Sequence, residues 1–329
     1  MTPAIAPPRR ALMPAILILS TILLIALLFA FSVGSASFSW RELVAEDSIA
    51  ATIVLKIRVP RVLAAALVGA ILAVAGLTFQ TLLRNPLADP FILGVSGGAA
   101  AGAAVATALG WSRFPGLVQV IAFAGASAAT AAVFLLARRR DHTDPTRLLL
   151  SGLVLNAFFS AVILMAFSFS KQSDLTGALR WMMGTLFGAT WTEVVLLAVF
   201  LAAAMVMLSW MASDLRMLVF GEEDAKARGI DVERIKLAGF VCGSLITGAA
   251  VSVSGIIGFI GLLVPHLIRL IWRRDFRFLL PLAALGGATL LVAADVVSRI
   301  AVPAAELPVA ALTALLGVPL FLSLLRREA

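Results

Sequence analysis

The stretch ALMPAILILSTILLIALLFAFSV, Ala11 to Val33, follows Arg9 and Arg10 and runs for 23 residues without a charge. At a rise of about 1.5 Å per residue it is long enough for the roughly 30 Å hydrocarbon layer of a bilayer. It exceeds the roughly 7 to 15 residues of a signal-peptide core, so it reads as an uncleaved first span. Beyond it the pattern recurs at roughly Arg61 to Leu83, Phe91 to Leu109, Pro115 to Ala137, Leu148 to Ser170, Trp191 to Met211, Ile235 to Val253, Ile256 to Ile271, Phe278 to Arg299 and Pro308 to Leu325. The chain therefore reads as an all-α polytopic membrane protein of about ten transmembrane helices, one domain over residues 1–329.

Composition agrees. Of 329 residues 61% are hydrophobic and 13% charged, against roughly 45 to 50% and about 25% in soluble domains. The net charge is +8, but nucleic-acid binding needs an exposed basic face on a soluble domain, and no such domain is present. The basic residues sort instead by side of the membrane. With the N-terminus cytoplasmic, 18 of the 26 Lys and Arg fall on the inside. Both termini are then cytoplasmic, and Arg41, Lys56, Arg58, Arg61, Arg113, Lys171, Arg180 and Arg299 lie outside or near an outer helix end. Cys242 is the single cysteine, which excludes a disulfide within the chain. His142 and His266 are the only histidines and no HExxH occurs, so a metal site is not expected. There is no GxxxxGK[ST] loop, so any ATP is bound by another subunit. No constellation for an intramembrane enzyme is present.

Local patterns add detail. The pairs Gly98/Gly102, Gly184/Gly188 and Gly239/Gly243 have the GxxxG spacing that lets helices approach closely. Gly255, Gly258 and Gly261, followed by Pro265, read either as a short or interrupted helix lining a pathway or as a kinked, tightly packed one. In the long loop of about residues 212–234, Glu222 precedes Lys226 by four and Asp224 precedes Arg228 by four, the favourable order for helical ion pairs. Gly229 can end that short helix and Asp231 can cap a second. The loop is either a docking knob or a solvated charged segment. Asp295 and Arg299 are spaced for an intrahelical pair, and Glu306 caps or packs at the start of the tenth span. His266 reads as a structural hydrogen bonder, a pH sensor or a haem ligand. Asn156 and Gln80 line a path or join helices, and Met165, Met182 and Met183 pack or bind metal.

Several strings resemble one family. They are Arg58-Val59-Pro60-Arg61, Phe79-Gln80, Arg84-Asn85-Pro86-Leu87-Ala88-Asp89-Pro90, Leu93-Gly94-Val95-Ser96, Arg180-Trp181-Met182-Met183-Gly184, the Gly221 to Gly229 segment, Gly258-Phe259-Ile260-Gly261-Leu262-Leu263-Val264-Pro265-His266, Asp295 to Arg299, and Glu306-Leu307-Pro308. Together they resemble the FecCD/vitamin B12 type of ATP-binding-cassette importer permease, from about residue 10 to the C-terminus. The resemblance implies a homodimer in the bacterial inner membrane, with the path at the dimer axis and two ATPase subunits beneath. A substrate-binding protein delivers a ferric siderophore, haem or cobalamin, of which the siderophore is the first expectation. No nucleic acid and no cofactor belong to this chain, since ATP and Mg sit on the partner.

By the same resemblance Arg58, Arg61 and Arg299 dock the binding protein; on residue type alone they read first as interfacial anchors. Asn85 and Leu87, with Pro145 and Thr146, narrow the cytoplasmic end of the path. Pro145 departs from the small hydroxyl residues common in relatives at this point. Gly221, Glu222, Glu223, Asp224, Lys226, Arg228 and Gly229, with Asp231 to Arg234, form the coupling-helix pair that meets the ATPase. The rival is an ion-coupled secondary transporter, for which Asp295 is the only midplane candidate.

Overall fold

The structure is a computed structural model that describes residues 12–33, 49–139, 142–272, 275–302 and 306–328. Helices dominate because in lipid each backbone N–H and C=O must find its partner within the segment. The order is α1 (Leu12–Ser32), α2 (Ile49–Ile53), a π-helical turn (Val54–Arg58), α3 (Val59–Leu82), α4 (Val95–Ala108), α5 (Leu117–Ala137), α6 (Pro145–Phe169), α7 (Gln172–Met182), α8 (Trp191–Trp210), α9 (Ala212–Phe220), α10 (Glu222–Ala227), α11 (Val232–Ser254), α12 (Ile260–Ile271), α13 (Phe276–Ile300) and α14 (Val309–Glu328). Arg138–Arg139 and His142–Thr143 pair antiparallel as a minimal ladder between α5 and α6.

Among the described residues seven helices are long and apolar enough to cross a membrane: α1, the continuous 51–82 segment, α5, α6, α8, α11 and α13. Three shorter apolar helices, Val95–Ala108, Ile260–Ile271 and Val309–Leu322, occupy the places of the remaining expected spans. Each of the ten expected segments therefore holds a helix, seven of them long and apolar enough to span. α7 was not foreseen: it is short and amphipathic rather than apolar.

The centre of the bundle is α3, which packs on α13, α11, α12 and α8. Of its apolar window 83% is buried, whereas α1 has 6% buried and lies at the periphery against α13. Leu17, Leu24, Leu28 and Phe29 of α1 are exposed, as suits a helix facing lipid. Close approach depends on glycine. A methyl group on Gly76 would sit 1.9 Å from the Gly261 carbonyl oxygen, and one on Gly69 would sit 2.2 Å from that of Gly287. Gly98 and Gly102 likewise face the α5 backbone, and Gly239 and Gly243 face Leu82 and Phe79 of α3. Gly184 and Gly188 do not form a helix-packing pair: both lie in the turn between α7 and α8 with positive φ.

The glycine-rich segment resolves as an interruption. α11 stops at Ser254, Gly255 takes φ +68°, and α12 starts only after Phe259, itself at φ +68°. That leaves α12 twelve residues long, with Pro265 inside it.

Candidate functional site

At the end of the bundle where α3 begins, five ionisable side chains from three segments meet. Arg61 donates through Nε to Asp295 at 2.8 Å and through Nη1 to Glu306 at 2.7 Å. Arg299, one helical turn from Asp295, reaches its other oxygen at 3.1 Å. The expected intrahelical pair is present, but Asp295 is shared with a second arginine from α3. Arg299 also donates to the carbonyls of Ala30 and Val33, and Arg58 donates to that of Phe31. Those carbonyls lie at the C-terminal end of α1, where the last groups lack helical partners and positive charge is favoured. Arg58 and Arg299 thus fasten α1 to the start of α3 and to α13, and Arg61 ties α3 to α13. All are buried, and Asp295 is 1% exposed; only Glu306 opens substantially to the surroundings. The three arginines share one end of the bundle, and neither their burial nor their mutual pairing was visible in the sequence.

At the opposite end of α3 the chain leaves the helix by a Schellman turn. Arg84 takes φ +47°, its N–H bonds the Thr81 carbonyl, and the Asn85 N–H bonds that of Gln80. The Asn85 side chain accepts from the Leu87 N–H at 2.9 Å and so shapes the loop, leaving Leu87 exposed. Pro145 is the first residue of α6, capped by Asp144, whose side chain accepts from the Thr146 N–H at 2.8 Å. Thr146 is exposed, and Leu83 and Pro145 line one small cavity together with Lys236.

The charged loop of residues 212–234 folds differently from expectation in two respects. Its paired helices are α9 and α10, separated by Gly221 at φ +141°. Asp231 does cap a helix, accepting from the Arg234 N–H, but that helix is α11 itself. Nothing between Val232 and Ser254 breaks it, so residues 231–234 are its first turn rather than a separate element. Gly229 ends the α10 region at φ +78°, as its position implied. The anticipated pairs Glu222–Lys226 and Asp224–Arg228 are absent among the described residues. Arg228 lies past the last residue of α10, which holds fewer than two turns. Glu222 turns inward instead, 2.8 Å from Lys236 Nζ and 3.8 Å from Arg84. Lys236, 5% exposed, also donates to the Thr143 carbonyl at 3.0 Å and to Glu233 at 3.4 Å. Glu233 in turn accepts from both the N–H and the hydroxyl of Thr143. Sequence reading passed over Lys236 and Glu233, although their spacing of three on a helix is a signal.

A third constellation lies in the loop between α3 and α4. Asp89 is fully buried and accepts from the backbone N–H groups of Phe91 and Leu262. The latter is one of the unpaired donors in the first turn of α12. Burial pushes this carboxyl up to about 6, against the pull of the two donors. Gln80 donates to the carbonyls of Gly261 and Leu262, and Asn156 to that of Phe91, so both join helices to neighbouring segments. His266 is buried, its ring edge-on to Phe321 at 6.1 Å. No cluster of three or more metal-ligating side chains occurs among the described residues.

The pattern defining the FecCD transport family matches residues 22–327. The cobalamin import system permease protein BtuC of Halobacterium salinarum is 45% identical over 278 residues, 84% of this chain and 74% of that protein. The hemin transport system permease protein HmuU of Yersinia pestis is 40% identical over 313 residues, 93% of each chain. Among solved structures, one described as an inward-facing conformation of a metal-chelate type ABC transporter superposes with a TM-score of 0.84 at 30% identity, covering 96% of this chain and 99% of that one.

Proposed function

The chain belongs to the FecCD transport family, and from that premise we propose how its residues divide the work of import. It is the permease subunit of an ABC importer of the cobalamin, haem and iron-chelate class, a multi-pass protein of the bacterial cytoplasmic membrane. The observation that carries this is end-to-end: helix order and packing agree with the membrane subunit of such a transporter over nearly the whole of both chains. All ten apolar helices span, the three short ones included, and both termini are cytoplasmic, in line with the distribution of Lys and Arg. Two copies assemble around a path at their shared axis, on two ATPase subunits that hold ATP and Mg, and a substrate-binding protein delivers a ferric siderophore, haem or cobalamin.

Arg58, Arg61 and Arg299 form the base of the face that receives the binding protein. They number three against the two carboxylates Asp295 and Glu306, so the face keeps a positive balance although each guanidinium is partnered. Leu87 and Thr146, both exposed in the single chain, with Asn85 and Pro145 behind them, form the cytoplasmic gate. The loop from Gly221 to Gly229, with Glu222, Glu223, Asp224, Lys226 and Arg228, meets the ATPase. ATP binding favours one arrangement of the spans over the other through that contact, which is what a shift between outward and inward states requires. An ion-coupled mechanism would need a midplane carboxylate free to bind the ion, and Asp295 is held by two arginines.

The test is purification of the tagged chain from native membranes in mild detergent, with mass spectrometry of stoichiometric partners and absorbance spectra of the ligand on the binding protein. A co-purifying ATP-binding-cassette subunit is expected. A chain that emerges alone and moves solute down an ion gradient would overturn the reading.

A further inference from the structure

We propose that a small charge network on Glu222 carries movement of α10 to both segments of the cytoplasmic gate, with Lys236 as the positioning residue that links it to the segment before α6 and Arg84 as the link to the segment after α3. The proposal rests on the reading of α10 as the ATPase contact and of residues 85, 87, 145 and 146 as the gate.

An ammonium has three N–H donors and no acceptor. Here three acceptors from three sequence segments are within reach: Glu222 Oε2 at 2.8 Å on α10, the Thr143 carbonyl at 3.0 Å just before α6, and Glu233 Oε1 at 3.4 Å in the first turn of α11. With its donors engaged, Lys236 cannot turn away from one acceptor without leaving an unpaired buried charge. Glu222 extends the network, because its second oxygen lies 3.8 Å from Arg84. Arg84 immediately precedes Asn85, and Thr143 lies two residues before Pro145, so each gate segment is reached within two residues. The four groups Lys236, Arg84, Glu222 and Glu233 balance in charge.

Packing offers α10 little other purchase. It is six residues long and Ala225 alone of them is buried. A helix so short is held by its surroundings rather than by its own hydrogen bonds, and its first residue, Glu222, is the one turned into the network. Arg84 also occupies the left-handed position of a Schellman turn, where glycine is usual. The chain accepts that strain with a side chain that points at Glu222.

The test uses the complete transporter, permease with its ATPase in lipid nanodiscs, carrying a fluorophore at Leu87→Cys in a Cys242→Ala background. The readout is the label response to ATP with vanadate, divided by the ATP hydrolysed per complex. Lys236→Met and Arg84→Gly are each expected to lower that ratio at least fivefold. An unchanged ratio in both overturns the proposal. Should Lys236→Met fail to reach the membrane, Arg84→Gly decides alone, since glycine relieves the left-handed strain and leaves the turn intact. Abolished hydrolysis in Arg84→Gly would also overturn it, because the network would then be maintaining the ATPase contact rather than transmitting through it. A label silent in the unmodified protein sinks the gate reading itself, which is a different failure from a label that responds equally in all three.

Discussion

Replacing Asp295 by Asn tests whether the outer charge cluster is organised around one buried carboxylate. The substitution is nearly isosteric, so any loss is electrostatic. Asp295 is 1% exposed and holds Arg61 at 2.8 Å and Arg299 at 3.1 Å, both of them buried. Without its charge, Arg58, Arg61 and Arg299 face Glu306, which among the described residues pairs with Arg61 alone and is itself 43% exposed. Removing one partner of a buried ion pair costs about 3–5 kcal/mol, because the other charge is left uncompensated. With melting shifts of roughly 2 °C per kcal/mol at the upper end of domain size, Asp295→Asn should melt about 6–10 °C lower. The assay is loss of the monodisperse peak in size-exclusion chromatography after heating, in detergent at low salt. Arg61→Met should cost less, because Asp295 keeps Arg299. The double variant should recover part of the loss of Asp295→Asn, since it removes a positive charge together with the negative one, a coupling of about 0.5–3 kcal/mol. Asp295→Asn melting within about 1 °C of the unmodified chain, or a double variant worse than the sum of the two, would refute the reasoning.

Gly76→Ala places a methyl 1.9 Å from the Gly261 carbonyl oxygen and must push α12 off α3; overpacking costs about 1–3 kcal/mol or more, read as lost yield and melting temperature. Gly177→Ala, on α7 with nothing within 4 Å, is the control and should be neutral or stabilising. Asp89 gives a pH dependence. Its folded value of about 6 lies above the ordinary 3.8, so its contribution to stability is full below about pH 4 and declines as pH rises through 6, by about 3 kcal/mol in all. Asp89→Asn should remove that slope, so melting curves of the two proteins converge at acid pH, diverge between about pH 4 and 6 and stay apart above it; curves parallel throughout would show that folding does not raise the carboxyl. Asp231→Ala removes the acceptor for the Arg234 N–H and should cost about 1 kcal/mol, seen as faster hydrogen exchange over the first turn of α11.

Helix existence was legible because a span needs about twenty apolar residues, and that length is visible wherever it occurs. All ten expected segments have a helix within a few residues of their place. What the sequence left out is short or half-polar. α7 fits no apolar window. The short helix after Gly221 lies where expected, but α9, which precedes it across that glycine, was not foreseen. The Gly255 to Phe259 interruption could be anticipated from glycine spacing, but the left-handed Phe259 could not, since β-carbon strain of that kind is stabilised only by surrounding structure.

Site residues were legible in proportion to how local their partners are. Asp295 and Arg299 are four apart on one helix, so their pair follows from helical spacing. Arg61 meets Asp295 across 234 residues, and nothing in spacing reports that. The same distinction explains Glu222. Local rules offered it Lys226, four residues on; the fold offered it Lys236, whose buried ammonium has little access to water and needs acceptors from the protein. An exposed helical pair contributes only about 0.3–0.5 kcal/mol, whereas an unpaired buried ammonium costs several. The greater of these two free energies decides where the carboxylate goes, and it draws the first residue of α10 toward the start of α6 and the end of α3. The arrangement that joins those segments is therefore a consequence of burying one lysine, and a lysine just past the charged first turn of a span is the mark by which it can be found.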